Sequence, residues 1–376
     1  TIFYDKSPNM RHNNCMKKIL NKKNLILFVP LIILMVISFL TMYNSRYISK
    51  IYVNHLNKQM IWYFISIIII LFLPNIKLLF KFSNIIYLFN VLLLLLVLKF
   101  GNTVNGARAW FNLGFIAFQP SEFMKLSYTL YLTTTIKKYK RKNIKTDFIF
   151  LLKVLIIFLI PSILIFLEPD TGAIIFLAII TLFMLFSSDI SKWWFLLIFI
   201  LVVLFISSFF YLFYFKQDTL INLIGTTFFY RMDRIFNLKN NMQLNNALIA
   251  IGNGNIWGYG INKASIYIPE AATDFAFSVA VSSMGFICSL VIIICYFIID
   301  TYFINSIFKT KNKTTKLFTS GFISVFIFSQ LYNIFMNIGY LPIMGICLPF
   351  LSYGGSSLVV FSLYIAIILR LKTNSI

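Results

Sequence analysis

Residues 148–186 read FIFLLKVLIIFLIPSILIFLEPDTGAIIFLAIITLFMLF. Two apolar runs flank one polar knot, Glu168-Pro169-Asp170, and the only charged residue inside either run is Lys153. A helix needs about 20 mostly apolar residues to cross a hydrocarbon core about 30 Å thick. The first run has that length and the second is slightly shorter. Inside a bilayer the backbone has no water to bond, so such runs must be helices. The stretch therefore reads as two membrane-spanning helices joined by a tight acidic turn.

The same pattern recurs along the chain. Ten candidate spans emerge at 25–43, 60–76, 84–100, 120–136, 148–167, 171–188, 193–215, 274–299, 318–339 and 355–371; reading the fifth and sixth as one gives nine. The expected fold class is an all-α integral membrane protein of about ten transmembrane helices. One large extracytoplasmic loop, 216–273, separates helices seven and eight. Residues 1–24 form a basic N-terminal segment, 25–371 the polytopic membrane domain, and 372–376 a short tail. No small-residue cleavage site follows the first apolar run, which reads as a start-transfer anchor rather than a removed signal. Composition agrees: of 376 residues, 60% are hydrophobic and only 12% charged, which excludes a soluble domain, a disordered chain and a disulfide scaffold. The cysteines, Cys15, Cys288, Cys295 and Cys347, show no C-x-x-C spacing, and His12 and His55 are the only histidines. A Cys/His zinc site is therefore not expected, and a metal would need carboxylate ligands.

The formal charge of +22 would point to nucleic acid in a soluble protein. Here the basic residues gather between apolar blocks, where anionic membrane lipids attract them, so no nucleic-acid partner is expected. With a cytoplasmic N-terminus, 21 Lys and Arg fall in inner segments and ten in outer ones, which places both termini in the cytoplasm of a plasma-membrane protein. The acids divide the other way. Asp5, Asp147, Asp189 and Asp300 sit at inner boundaries, whereas Glu122, Glu168, Asp170, Asp218, Asp233, Glu270 and Asp274 fall at or just below the outer face.

Inward-running helices share a device at their outer ends: Gln119-Pro120-Ser121-Glu122, Glu168-Pro169-Asp170-Thr171-Gly172, Pro269-Glu270-Ala271-Ala272-Thr273-Asp274-Phe275 and Ser352-Tyr353-Gly354-Gly355-Ser356-Ser357. Each alone is an ordinary helix cap. Together they aim positive helix ends at one region, which suits an anion such as phosphate. Glu122 and Lys125 share a helix face and form an expected intramembrane ion pair. Arg108, beside Trp110 and Phe111, either grips phosphate or snorkels to headgroups. The long loop contributes Arg231, Gln243 and a glycine-rich run, Gly252-Asn253-Gly254-Asn255-Ile256-Trp257-Gly258-Tyr259-Gly260. Asp274 stands at the membrane boundary, where apolar surroundings raise a carboxyl pKa and suit it to general-base work; its plainer reading is a carboxylate in a helix's first turn.

In this order and at these separations the motifs resemble the SEDS family (shape, elongation, division and sporulation), the family of RodA, FtsW and SpoVE. The likeness runs from the first helix to the last. It rests on Asn105-Gly106-Ala107-Arg108, Gln119 to Glu122 with Lys125, Glu168 to Gly172, Gln243 with Ala250-Ile251-Gly252 and Gly258-Tyr259-Gly260, Pro269-Glu270 with Thr273-Asp274-Phe275, and Pro342 to Ser357. What the resemblance implies is an enzyme: a peptidoglycan glycosyltransferase that polymerises lipid II outside the membrane beside a class B penicillin-binding protein. Asp274 would be its catalytic residue, with Arg108, Glu122, Lys125, Arg231, Gln243, Glu270 and Ser356 around the substrate. A divalent cation, Mg or Mn, is the only cofactor it brings into view. The chain departs from the family where an acidic pair usually precedes the helix glycine, having Ser282-Ser283-Met284-Gly285. It also has Ala272 for the usual histidine and Gly254-Asn255 for Gly-Gly. Two other readings compete: a flippase for the lipid-linked precursor, which predicts polarity through the full bilayer depth, and a non-catalytic scaffold, which predicts that Asp274 is dispensable.

Overall fold

A computed structural model describes residues 22–73, 76–104, 106–112, 114, 117–226, 229, 241–263 and 266–374. The elements run α1 (Lys22–Ile48), α2 (His55–Phe72), α3 (Ile76–Lys81), α4 (Ser83–Phe100), β1 (Asn102–Val104), β2 (Ala107–Asn112), β3 (Ala117–Phe118), α5 (Pro120–Lys138), α6 (Ile144–Leu167) and α7 (Thr171–Phe186). There follow α8 (Lys192–Phe215), α9 (Gln217–Ile224), α10 (Met242–Asn253), α11 (Ala276–Lys309), α12 (Lys313–Asn337) and α13 (Gly355–Asn374). Every candidate span falls on a helix. Among the described residues, 8 helices are long and apolar enough to cross a membrane. The 16-residue α7 is shorter, and α5 carries Glu122, Lys125 and a run of hydroxyl side chains that lower its hydropathy.

The polar helices lie inside. Most of α5 is buried, and it packs against α4, α7, α12 and α13, while α11 packs against α1, α10 and α12. With lipid as apolar as leucine, burial in a membrane rewards small residues and satisfied polar ones rather than greasy ones. The hydroxyls of α5 accordingly donate to their own helix: Thr129 Oγ1 to the Lys125 carbonyl and Thr133 Oγ1 to the Thr129 carbonyl, each at 2.7 Å. Gly321 lets α12 close on its neighbours. A β-carbon there would lie 2.7 Å from Thr129 Cγ2 and 2.9 Å from Met184 Sδ.

Three features depart from the sequence reading. The link between α4 and α5 is a small antiparallel sheet in the order β1-β2-β3, turned at Gly106 with φ +82. The helix that was expected to end at 299 runs on to Lys309, so Asp300 lies inside α11, and Gln330 Nε2 on α12 donates to its Oδ2 at 2.7 Å. Last, α11 begins two residues later than expected and is broken at Gly285 (φ 78, ψ −178).

The glycine-rich run fills that break. Tyr259 and Gly260 N–H donate to the Ser282 and Ser283 carbonyls at 2.9 and 3.0 Å, and Phe286 N–H donates to Asn255 O at 2.9 Å. A β-carbon at Gly258 would meet Ser283 O at 2.3 Å, and one at Gly285 would meet Ile256 O at 2.1 Å. Only glycine lets two backbones approach this closely, and the exchange satisfies the groups the broken helix frees. Ser282 and Ser283, standing where acids were expected, turn their hydroxyls onto the Val279 carbonyl at 3.0 and 2.7 Å.

Candidate active site

The starts of α5, α7 and α13 are stitched together at one end of the bundle. Asp170 caps α7 by accepting from Ala173 N–H at 3.2 Å on Oδ1. Its Oδ2 accepts from Gln119 Nε2 at 3.1 Å and Ser121 Oγ at 2.9 Å, at the head of α5. Ser356, in the first turn of α13, accepts from Gln119 N–H at 3.2 Å and donates to the Ala117 carbonyl at 3.3 Å. These three helix ends therefore converge, with Asp170 bonded to two side chains at the head of α5 and Ser356 to the backbone just before it.

One turn into α5, Lys125 Nζ donates to Glu122 Oε1 at 2.6 Å and stands 4.0 Å from the centre of the Phe176 ring. Lys125 is 4% exposed, so ion pair and aromatic face together replace its hydration. Glu122 Oε2 is buried with no hydrogen-bond partner in the structure. The pair lines a small opening of about 10 Å³, shared with Phe176, Ser329, Gly345, Cys347 and Ser357.

Asp274 lies in the turn before α11. Glu270 enters that turn in a left-handed conformation (φ 54), accepts N–H bonds from Thr273 and Phe275 at 3.2 and 3.1 Å, and takes the Thr273 hydroxyl on Oε2 at 2.8 Å. Two amides one turn apart on α12, Asn333 and Asn337, donate Nδ2 to the Asp274 carbonyl at 2.9 and 3.0 Å. Asn337 Oδ1 in turn accepts the Ser278 N–H and hydroxyl at 3.2 and 2.5 Å. The backbone of Asp274 is thus held while its carboxylate has no hydrogen-bond or ion-pair partner among the described residues. Burial, and secondarily the Glu270 charge, pushes that carboxyl up to about 7.

Pocket and turn meet at Cys347. Its sulfur lies within electrostatic reach of Asp274, Glu122, Lys125 and Glu270, and burial pushes the thiol above its ordinary range. The Gly345 backbone lies beside the carboxylate: a β-carbon there would stand 4.0 Å from Asp274 Oδ2, in ordinary contact. The structure thus gathers Asp274, Glu270, Glu122 and Lys125. Arg108 is exposed on β2 and donates to the Leu98 carbonyl at 3.4 Å. Gln243 is half-buried in the first turn of α10, its N–H held by Asn241 Oδ1 at 3.0 Å. Arg231 lies outside the described residues.

Asn333 and Asn337 were not among the site residues expected from the sequence, although two amides spaced one turn apart on a buried helix are a usable signal. Nor were Phe176 and Cys347, which nothing local marks. Glu168 is fully buried with both oxygens unpartnered, and burial, with the Asp170 charge next, pushes it up to about 8. No group of three or more His, Cys, Asp or Glu able to hold a metal ion exists among the described residues.

Fold and site define a multi-pass membrane protein whose buried polar groups gather at one end, beside a carboxylate that is unpaired among the described residues. The chain belongs to the cell cycle protein family of FtsW, RodA and SpoVE, whose family model matches residues 20–376. It is 33% identical over 310 residues to the probable peptidoglycan glycosyltransferase FtsW of Wigglesworthia glossinidia brevipalpis, covering 77% of this chain and 76% of that one. The protein of the same description in Coxiella burnetii is 32% identical over 306 residues, 77% of this chain and 78% of the relative. Among solved structures, a chain of a peptidoglycan synthase complex superposes with TM-score 0.73 at 22% identity, over 92% of this chain and 97% of that one. The rod shape determining protein RodA of Thermus thermophilus superposes with TM-score 0.63 at 22% identity, over 92% and 96%. At such identities the superpositions speak for the fold.

Proposed function

We propose that this protein is a peptidoglycan glycosyltransferase that polymerises lipid II into glycan strands at the outer face of the plasma membrane. The observation that carries the reading is Asp274: a carboxylate without a hydrogen-bond or ion-pair partner among the described residues, on a backbone clamped by two asparagines, with Cys347 in electrostatic reach of both it and the buried Lys125. Asp274 accepts the proton of the acceptor sugar's 4-hydroxyl as that oxygen attacks the donor's anomeric carbon. The new C–O bond forms with inversion while the bond to pyrophosphate breaks, and undecaprenyl pyrophosphate leaves with the electron pair. A carboxyl titrating near neutral pH suits this proton transfer.

Lys125, fixed by Glu122, supplies positive charge toward the leaving pyrophosphate, and Arg108 and Arg231 are the further cations for that role. Ser356 holds the start of α13 in place, while Gln243 and Glu270 border the sugars. A divalent cation enters only as a counter-ion carried by the substrate pyrophosphate, and no step is routed through it. The basic-residue bias supports cytoplasmic termini, with the Asp274 end of the bundle outside. A class B penicillin-binding protein is the expected partner, since a polymer needs crosslinking.

The test is polymerisation of labelled lipid II by purified protein and by Asp274→Ala, with and without that partner. A glycan ladder from the wild type alone is the expected result. A ladder from Asp274→Ala would sink the assignment, and transport of lipid II without polymer would favour the flippase.

A further inference from the structure

The turn that carries Asp274 is held from a second side by residues the proposed chemistry does not use. Between α1 and α2, a 3₁₀ turn (Lys50–Tyr52) places the buried Tyr52, whose hydroxyl accepts the Ala271 N–H at 3.4 Å. Tyr353 N–H donates to the Ala272 carbonyl at 2.8 Å. With the asparagines on Asp274, three of the turn's backbone groups are gripped by three distant parts of the chain. His55 joins two of these grips. Its ring lies flat on Tyr353, centroids 4.1 Å apart and planes 1° from parallel, and 5.3 Å from the Tyr52 ring. One imidazole nitrogen, Nδ1, is buried without a hydrogen-bond partner, so stacking rather than a bond at that atom fixes the ring. Glu270 on the turn and Lys58 on α2 are the charged groups within electrostatic reach of His55.

We infer that His55 is a positioning residue for glycosyl transfer: stacked on Tyr353, it locks the 270–274 turn and thereby aims the Asp274 carboxylate. This rests on the reading of Asp274 as the base. Misplacing a catalytic group by about 1 Å costs up to about 100-fold in rate.

The experiment follows lipid II polymerisation by the full-length protein with its partner across pH, for wild type, His55→Ala, His55→Phe and Asp274→Asn. His55→Ala should lower kcat about 10–100-fold with KM nearly unchanged. It should also move the acid limb of the rate profile to lower pH, because a loosened turn lets water reach Asp274. His55→Phe keeps a stacking ring and should recover most of kcat and the limb. An unchanged rate and limb in His55→Ala overturns the inference. So does a loss that only tracks the folded fraction with the limb unmoved, or a His55→Phe protein as slow as His55→Ala. If Asp274→Asn still polymerises, the catalytic reading itself fails. If it is inactive while His55→Ala behaves as wild type, only the positioning role does.

Discussion

Helices α8 and α12 are both long enough to cross a membrane, yet they have opposite fates. None of the most apolar stretch of α8 is buried in the protein, whereas 78% of that of α12 is. The exposed helix is mostly Phe, Leu, Ile and Val, with Ser207 and Ser208 its only small hydroxyls; the buried one carries Thr319, Ser320, Ser324, Ser329, Gln330, Asn333 and Asn337. Lipid already solvates apolar side chains, so a greasy helix gains little by leaving it. A helix with hydroxyls and amides gains hydrogen bonds by turning inward. In this molecule those inward amides hold the Asp274 carbonyl, so the less apolar of the two helices is the one that builds the site.

The sharpest way to break this contrast is Asp274→Asn. The amide leaves the clamped backbone intact, and polymerisation should fall about 100- to 10,000-fold, the range for losing a general base; near-normal rates would detach the polar interior from catalysis. Next comes Lys125→Met, which leaves Glu122 buried without its cation. It should destabilise the protein by about 3–5 kcal/mol, seen as a lowered thermal midpoint in detergent. A smaller effect runs the other way. Because the Asp274 carboxyl titrates near 7 when folded and at an ordinary 3.8 when unfolded, the folded state holds the proton more tightly. Stability is therefore full below about pH 4, declines as pH rises toward 7, and stays lower above. Asp274→Asn removes that loss and should melt a few degrees higher than wild type at pH 8 but not at pH 4. Glu168→Gln should behave likewise, with its window reaching about 8. The smallest effect belongs to α8: Leu201→Ala, on an exposed face, should change stability by less than about 0.5 kcal/mol and leave polymerisation intact. A large effect there would mean that α8 faces a protein partner instead of lipid.

Much of the site was legible because its chemistry is local. Glu122 and Lys125 meet because residues three apart share a helix face, and Asp274 stood out as an acid at the edge of an apolar run. The glycine-rich run was legible only as a turn. Its role in plugging α11 depends on Gly285, 27 residues beyond Gly258 and without a local pattern to connect the two. Ser356 was placed among substrate contacts, while its hydroxyl ties α13 to the strand before α5. Asn333 and Asn337 were visible, but nothing in their own helix says which carbonyl they serve.

The sequence by itself determined that this is a polytopic helical membrane protein, because crossing a bilayer is a sum of transfer free energies over about 20 neighbouring residues. It also determined the ion pair, because a helix rises only 1.5 Å per residue. The tertiary structure alone decided which helices turn to lipid, that α11 breaks to admit a loop, and that Cys347, His55 and Tyr353 gather around Asp274. The physical reason is that helices already in a bilayer are sorted by packing and hydrogen bonding between surfaces far apart in the chain, and no local window of residues contains both surfaces.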